Sequence, residues 1–121
     1  MNKGEKLACD HLKDNDFMVE HIVVSKWNRI DFFNLFDFIA IKPNWIRFIQ
    51  VSTKYMSQRD ADWKERFEKF PVMKQTTKEF WHIVEKKGRF EIIAYQYVSQ
   101  NGKPRRLEYE EDFDSKSRLF S

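Results

Sequence analysis

The chain has 121 residues, enough for a single domain with a substantial core, and twelve Phe and four Trp supply large side chains for that core. Lys and Arg outnumber Asp and Glu by 22 to 19, which alone is only a weak indication of an anionic partner. The single cysteine, Cys9, excludes an intramolecular disulfide and a thiolate metal cluster. The N-terminus has no apolar secretory core and no apolar run reaches the roughly 20 residues of a membrane span, so we expect a soluble, cytoplasmic protein.

The first predicted elements are a helix over residues 3–14 and a strand over residues 17–24. Ala8 and Leu12 share one face of this helix, and the same spacing places Glu5 on that face. Glu5 is therefore expected to point towards the interior of the domain. After the strand, a polar segment leads into the most apolar part of the chain.

Two apolar runs, residues 35–41 and 45–52, flank the short connection 42–44 and predict an antiparallel hairpin at the centre of a sheet. Each run contains one polar residue where its pattern predicts an apolar one, Asp37 in the first and Gln50 in the second. A carboxylate on a buried strand is unfavourable unless it is paired or bound to a metal ion. The presence of Asp37 therefore requires an explanation.

Two helices are predicted after the hairpin. Asp60 is a suitable N-cap for the first of them, which runs to about Phe70 before Pro71 ends it. The second is predicted over residues 74–86, and Gly88 follows it.

The last predicted elements are strands over residues 90–98 and 105–109, with the turn Asn101-Gly102 between them. The whole pattern predicts one α/β domain over residues 1–109, in the order αβββααββ, with a mixed central sheet flanked by helices. Residues 110–121 are rich in acidic side chains and predict a flexible tail.

The predicted site follows from strand alternation. Gln50 and Ser52 share a face, and Asp37 on the adjacent antiparallel strand can lie beside Gln50. With Glu5 nearby, two carboxylates and an amide oxygen would suit Mg²⁺ or Mn²⁺, and such an ion can orient water and stabilise charge on a phosphodiester. The alternative interpretation is structural: Asp37 accepts backbone hydrogen bonds at a strand end, and Gln50 bridges the sheet to a helix.

These segments resemble the PD-(D/E)xK nuclease superfamily, and within it the archaeal Holliday-junction resolvases. The helix that begins Lys3-Gly4-Glu5 is similar to the family's glutamate-bearing helix. Residues 36–40, Phe-Asp-Phe-Ile-Ala, are similar to its metal-binding aspartate strand. Residues 49–53, Ile-Gln-Val-Ser-Thr, are similar to its acidic-x-Lys strand. The resemblance covers residues 3–54 well, and the two helices after them only in outline.

The resemblance implies a restriction-endonuclease-like fold with Mg²⁺ or Mn²⁺ bound by Glu5, Asp37 and Gln50. Two positions depart from the family pattern, because Gln50 replaces an acidic residue and Ser52 replaces the lysine. Gln50 offers a ligand oxygen without a charge, and Lys54, on the same face as Ser52, can replace the lost cation. Divergent, phage-like relatives are similar in carrying Gln-Val-Ser or Gln-Val-Thr at this place.

Basic residues around the site predict contacts with DNA phosphates, although a solvated charged face is the usual meaning of such a pattern. The residues concerned are Lys54, Arg59, Lys64, Lys103, Arg105 and Arg106. No base-reading motif is present, so recognition of DNA structure is expected rather than of sequence. Asp31 is a further candidate ligand, whereas His11, His21 and His82 lack ligand spacing.

The expected function is a metal-dependent endonuclease that acts on branched or structured DNA. The resemblance implies a homodimer, because one small domain holds one active site and cutting two strands requires two. One alternative is a catalytically impaired nuclease-fold protein that binds DNA or a protein partner. Another is a structural oligomeric protein that binds no nucleic acid.

Overall fold

The computed structural model describes residues 1–22, 35–100 and 102–107. Two α-helices and six strands make up the regular structure of these residues. In chain order they are α1 (Lys3–Asp14), β1 (Met18–His21), β2 (Phe38–Lys42), β3 (Trp45–Ser52), α2 (Ala61–Lys69), β4 (Thr76–Lys86), β5 (Arg89–Tyr97) and β6 (Arg105–Leu107). A 3₁₀ turn, Met56–Gln58, precedes α2.

All six strands form one mixed sheet in the spatial order β1-β2-β3-β4-β5-β6. Every neighbouring pair is antiparallel except β3 and β4, which are parallel because α2 carries the chain back across the sheet between them. The predicted α/β class with a mixed central sheet is therefore confirmed. Within the described residues no helix is long and apolar enough to cross a membrane.

The predicted central hairpin is confirmed as β2 and β3. These strands pair antiparallel with Phe38 opposite Ile49, and a two-residue connection joins them. Asn44 in that connection has a φ of 67°, a left-handed conformation that asparagine tolerates better than most residues. The turn residue Asn44 and the apolar pattern of the two strands therefore favour the same strand register.

The predicted helix over residues 74–86 is wrong, because this segment forms the long strand β4. Phe80, Trp81 and Val84 have a spacing that fits a helix, but β4 lies inside the sheet and is covered on both faces. A strand buried on both sides shows no polar alternation, so its apolar run is easily mistaken for a helix. The described order is αβββαβββ instead of αβββααββ.

Helix α1 covers one face of the sheet. Its first turn is capped by Asn2, whose Oδ1 accepts the backbone N–H of Glu5 at 2.8 Å. Cys9 is buried. The core on this side includes Ala8, Leu12, Phe17, Phe38, Ile49, Val51, Trp81 and Ile83.

Helix α2 covers the other face. Asp60 caps it as predicted, accepting the backbone N–H of Trp63 at 2.7 Å. At the opposite end, the buried Lys78 Nζ donates to the carbonyl oxygens of Phe67, Glu68 and Phe70 at 2.6, 2.9 and 3.0 Å. These carbonyls lie at the C-terminal end of α2, where Phe67 O also accepts the Phe70 N–H and Glu68 O also accepts Gln100 Nε2, so Lys78 is a cap on α2 rather than part of the charged surface. The core here consists of Leu35, Phe36, Phe48, Trp63, Phe67, Phe70 and Phe80.

A fully buried ion pair joins the parallel strands at the centre of the sheet. Arg47 on β3 donates to Glu79 on β4 through Nε at 2.7 Å and through a terminal nitrogen at 2.5 Å. Glu79 also accepts hydrogen bonds from Thr77, Trp81 and Gln96. Burial alone would raise the pKa of Glu79, but the Arg47 guanidinium and these donors hold that pKa below its usual range.

Several predictions fall outside the described residues. They concern the end of the first strand beyond Ile22, Asp31 with the segment around it, Asn101 of the predicted turn, and the acidic tail 110–121. The last strand is described over Arg105–Leu107, and residues 108 and 109 of the predicted strand lie outside the described residues.

Candidate functional site

Asp37 lies immediately before β2, in the middle of the sheet. Its backbone N–H donates to the carbonyl oxygen of Ile49 at 2.9 Å, and its Oδ2 accepts the backbone N–H of Val51 at 2.8 Å. Both bonds run to β3, so the start of β2 and the end of β3 hold the carboxylate in place. Among the described residues, no donor forms a hydrogen bond to Oδ1. One oxygen of this mostly buried carboxylate therefore remains available to a ligand.

The pKa of Asp37 is raised to about 6. Burial is the largest cause, and the negative charge of Glu5 raises the pKa further. The Val51 N–H and the charges of His21 and Arg59 act in the opposite direction without cancelling the rise. Asp37 is thus a carboxylate whose ionised form is poorly stabilised by its surroundings, a common property of functional sites.

Glu5 approaches Asp37, as predicted, but its own oxygens are occupied. Oε1 accepts a hydrogen bond from Asn2 Nδ2 at 2.9 Å, which completes the reciprocal cap of α1. Oε2 lies 2.9 Å from His21 Nε2, within hydrogen-bond and ion-pair distance. A metal ion that bound Glu5 would have to displace one of these two partners.

Gln50 and Ser52 lie on β3 as predicted, and both side chains contact the backbone next to them. Gln50 Nε2 donates to the carbonyl oxygen of Val51 at 3.0 Å. Ser52 Oγ accepts the backbone N–H of Lys54 at 3.0 Å. The amide oxygen of Gln50 accepts no hydrogen bond from the described part of the chain. That oxygen is the atom that the predicted metal site would use.

Arg59 is the basic residue that the structure ties electrostatically to Asp37, since each charge favours the ionised form of the other. The guanidinium is half-buried and lies over the ring of Trp63, with its carbon 4.2 Å from the ring centroid. Burial lowers the pKa of Arg59, while Asp60 and Asp37 raise it. Because arginine titrates far above neutral pH, the group stays charged.

An open cleft of about 540 Å³ lies between the start of α1, the end of β3 and the segment before α2, and none of Glu5, Asp37 and Gln50 lines it. Val51, whose N–H binds Asp37, forms part of its wall. Two of the predicted phosphate-binding residues line it as well, Lys54 and Arg59. The remaining lining residues are Asn2, Gly4, Ser52, Thr53, Gln58, Asp60 and Ile83.

The other predicted DNA contacts lie elsewhere. Lys103, Arg105 and Arg106 are exposed at or beside β6, which is three strands from β3 in the sheet, about 14 Å at the usual strand spacing. Arg105 Nε donates to Gln96 Oε1 at 3.2 Å. Lys64 is half-buried on α2 and lines a smaller cleft of about 340 Å³. The six basic residues therefore form at least two separate groups.

The donor set around Asp37 partly fits a hard divalent cation. In the described ranges no three His, Cys, Asp or Glu side chains are grouped so that they could hold a metal ion. The predicted ligand set depends on an amide, Gln50, as its third member, and on release of Glu5 from a partner. In favour of a cation are the Asp37 Oδ1, to which no described residue donates, and the repulsion between Glu5 and Asp37, which a divalent ion would relieve.

His21 is the residue at the site that the sequence did not indicate. It ends β1, contacts Glu5 through Nε2, and packs against Phe38 with ring centroids 4.9 Å apart. The signal present in the sequence is alternation along β1, where exposed Met18 and Glu20 alternate with half-buried Val19 and His21. Alternation shows that His21 faces inward, but not that Glu5 lies opposite, since 16 residues separate the two in sequence.

Comparison with known proteins adds no relationship to this geometry. No protein-family model matches the chain, and neither a curated protein nor a solved structure shows significant similarity to it.

Proposed function

We propose that the protein is a metal-dependent endonuclease that acts on branched or structured DNA, with its site at Asp37. The observation that carries this proposal is a mostly buried carboxylate with a pKa of about 6, one oxygen of which bonds to no donor among the described residues, with a second carboxylate nearby. Val51, which binds this carboxylate, lines a cleft that Lys54 and Arg59 also line. A structural aspartate would be expected to have a lowered pKa, because pairing stabilises its charge.

The placement of the elements supports the resemblance to PD-(D/E)xK nucleases and to a restriction-endonuclease-like fold. Glu5 lies on the first helix, Asp37 directly precedes β2, and Gln50 and Ser52 lie on the following strand β3. That is the arrangement the resemblance implies for the glutamate helix, the aspartate strand and the acidic-x-Lys strand. The sheet has one strand more than the expected order.

In the proposed mechanism, Asp37, the Gln50 amide oxygen and Glu5 would hold Mg²⁺ or Mn²⁺. The ion would activate a water molecule and stabilise the charge that develops on the phosphodiester. The hydrogen bond from Val51 fixes the orientation of the Asp37 carboxylate, and Asn2 and His21 fix that of Glu5. The cleft would accept the DNA backbone, with Lys54 and Arg59 opposite its phosphates.

The test is cleavage of a four-way DNA junction in the presence of Mn²⁺ or Mg²⁺. We expect the wild-type protein to cut the junction and Asp37→Ala to lose the activity by at least about 10²-fold, since it removes the main ligand. Asp10→Ala is the matched control, because Asp10 is an exposed aspartate on α1. Absence of cleavage by the wild-type protein with every structured DNA and both ions would refute the proposal.

The second candidate is a nuclease-fold protein that binds DNA or a protein partner without cutting. It is favoured by the occupied oxygens of Glu5 and by the neutral Gln50 and Ser52 at the two positions that depart from the family. Such a protein would bind DNA with a salt-sensitive affinity that neither metal nor Asp37→Ala changes.

We also propose a homodimer, which two coordinated cuts in a junction require. The molar mass in solution, measured by light scattering with and without junction DNA, tests it directly. A monomer in both conditions would exclude the dimer.

A further inference from the structure

Arg59 is held in an unusual position for a charged side chain on a loop. Its backbone N–H donates to the carbonyl oxygen of Met56 at 3.1 Å, so the residue closes the 3₁₀ turn, and Asp60, the cap of α2, follows directly. The half-buried guanidinium lies over Trp63. Trp63 is itself stacked on Phe67 in the core, with ring centroids 5.0 Å apart. The aromatic ring therefore fixes the guanidinium without consuming its hydrogen-bond donors.

No hydrogen bond or ion pair to the Arg59 side chain occurs within the part of the chain that the structure describes. Asp60, its neighbour in sequence, uses Oδ1 to cap α2 through the N–H of Trp63. Asp37 is near enough for electrostatic attraction, but the hydrogen bond to its Oδ2 comes from Val51. A guanidinium has five N–H donors, and Arg59 is one of the residues that line the 540 Å³ cleft.

Lys54 lines the same cleft, but unlike Arg59 it is exposed and no aromatic ring of the described residues holds its charged group. Its Nζ contacts no described side chain, so the flexible stem must be ordered whenever the amine binds. Its strand parity with Ser52 made it the obvious substitute for the lost lysine. The structure orders Arg59 in advance instead, and arginine can bind two phosphate oxygens at once.

We infer that the cleft is a phosphate-binding subsite and that Arg59, not Lys54, is its principal cation, held over the Trp63 ring and within electrostatic reach of Asp37. The inference rests on the proposed nuclease function for the identity of the ligand, a DNA phosphodiester. Within that function, Arg59 takes over the charge-stabilising role of the lysine that Ser52 replaces. The subsite itself, as an anion site, can be tested without turnover.

The experiment measures single-turnover cleavage of a four-way junction with Mn²⁺ and, separately, the affinity for the junction without metal. Arg59→Met keeps an unbranched side chain over Trp63 and removes the charge, and we expect its cleavage rate to fall by about 10²-fold or more, as on loss of one charge-stabilising donor. Lys54→Met should lower the rate less than about tenfold, in line with an exposed contact. Arg89→Met is the matched control, an exposed arginine at the start of β5, and should leave the rate unchanged.

Recovery of the cleavage rate distinguishes a charge-stabilising role of Arg59 from a merely structural one. Arg59→Lys should recover part of the lost rate, and millimolar guanidinium should raise the rate of Arg59→Ala but not that of Arg89→Ala. If neither treatment restores activity, or if Arg59→Met is no slower than Lys54→Met, the inference is overturned.

A direct measurement distinguishes failure of this inference from failure of the nuclease proposal. In metal-free protein, inorganic phosphate should shift the NMR signal of the Arg59 Nε–H in a saturable manner, and Arg59→Met should abolish this binding. If the wild-type protein cuts no DNA but this shift occurs, the nuclease proposal fails and the anion subsite stands. If the signal does not respond to phosphate, the subsite is refuted whatever the protein cleaves.

Discussion

At the scale of single residues, Asp37 is the clearest sign of function because it costs the fold stability. Its side chain has one backbone hydrogen bond, a neighbouring carboxylate and little water, so the charged form is disfavoured. Glu79 shows the contrast: it is more deeply buried, yet Arg47 and three further donors make its charge favourable. Two buried carboxylates therefore have opposite pKa shifts: Glu79 is paired on every side, whereas Asp37 accepts one backbone hydrogen bond from Val51, as the structural alternative expects, and its pKa is still raised.

The raised pKa of Asp37 predicts a pH-dependent gain in stability for Asp37→Asn. An unfolded aspartate titrates near 3.9, so the folded wild-type protein binds more protons than the unfolded chain between about pH 4 and 6. Its free energy of unfolding should fall as pH rises through this window, and an asparagine removes that loss. At pH 8 the variant should be more stable than wild type by on the order of 2–3 kcal/mol.

The measurement is urea denaturation of both proteins between pH 4 and 8, with Asp10→Asn as the control for a surface aspartate. At pH 4 the stabilities of Asp37→Asn and wild type should be similar. A constant difference across the whole range would show that burial does not disfavour the Asp37 charge. Mn²⁺ at pH 8 should stabilise wild type but not the variant if the ion binds this carboxylate.

At the scale of elements, α2 determines how the second half of the sheet forms. It carries the chain from β3 to a parallel β4, and its apolar face fills one side of the sheet with Trp63 and Phe67. Asp60 caps the start of α2. Lys78 caps its end from β4, the strand to which α2 leads. Trp63 of this helix also holds the Arg59 guanidinium. The helix that connects β3 to β4 therefore also orders one wall of the cleft.

Replacement of the capping lysine tests this view of α2. Lys78→Met removes one donor from each of three carbonyl oxygens at the helix end. Phe67 O and Glu68 O keep a second donor, and we expect a loss of about 1–3 kcal/mol in the free energy of unfolding. Lys69→Met is the control: Lys69 is exposed at the same helix end, paired only with Glu65, and should change stability by no more than about 0.5 kcal/mol. Equal effects of the two substitutions in urea denaturation would contradict the cap.

At the scale of the whole molecule, the parallel β3–β4 pair connects two antiparallel parts, β1-β2-β3 and β4-β5-β6. The first part carries Asp37, Gln50 and, through α1, Glu5. The second carries the exposed basic residues at β6. The ion pair of Arg47 and Glu79 lies at this junction with no exposure to solvent, so it connects the part with the candidate site to the rest of the domain.

Loss of that ion pair should destabilise the entire domain. Arg47→Met leaves the Glu79 carboxylate buried without its cation, and we expect a loss of about 3–5 kcal/mol in the free energy of unfolding. Arg47→Met combined with Glu79→Gln should recover part of this loss, because no unpaired charge then remains. Chemical denaturation followed by both far-ultraviolet circular dichroism and tryptophan fluorescence provides the check; a double variant less stable than the single one would refute the explanation.

The sequence alone determined the central hairpin, the first helix, the N-cap Asp60 of α2 and the inward orientation of Glu5. These depend on residues close together in the chain, where alternation, helical spacing and turn chemistry act directly. The same local rules failed for β4, because a strand covered on both faces loses its alternation and the spacing of Phe80, Trp81 and Val84 imitates a helix.

Only the tertiary structure decided which polar groups meet. The contacts of His21 with Glu5, of Asp37 with Val51 and of Lys78 with α2 join residues 8 to 16 positions apart, and Arg47 reaches Glu79 over 32. Such pairings depend on strand order and crossover, which no local pattern encodes. For this reason the sequence could find Asp37 as a carboxylate in an apolar segment. The fold placed it one residue before β2, where burial disfavours its charge, and ordered Arg59 over Trp63 within electrostatic reach.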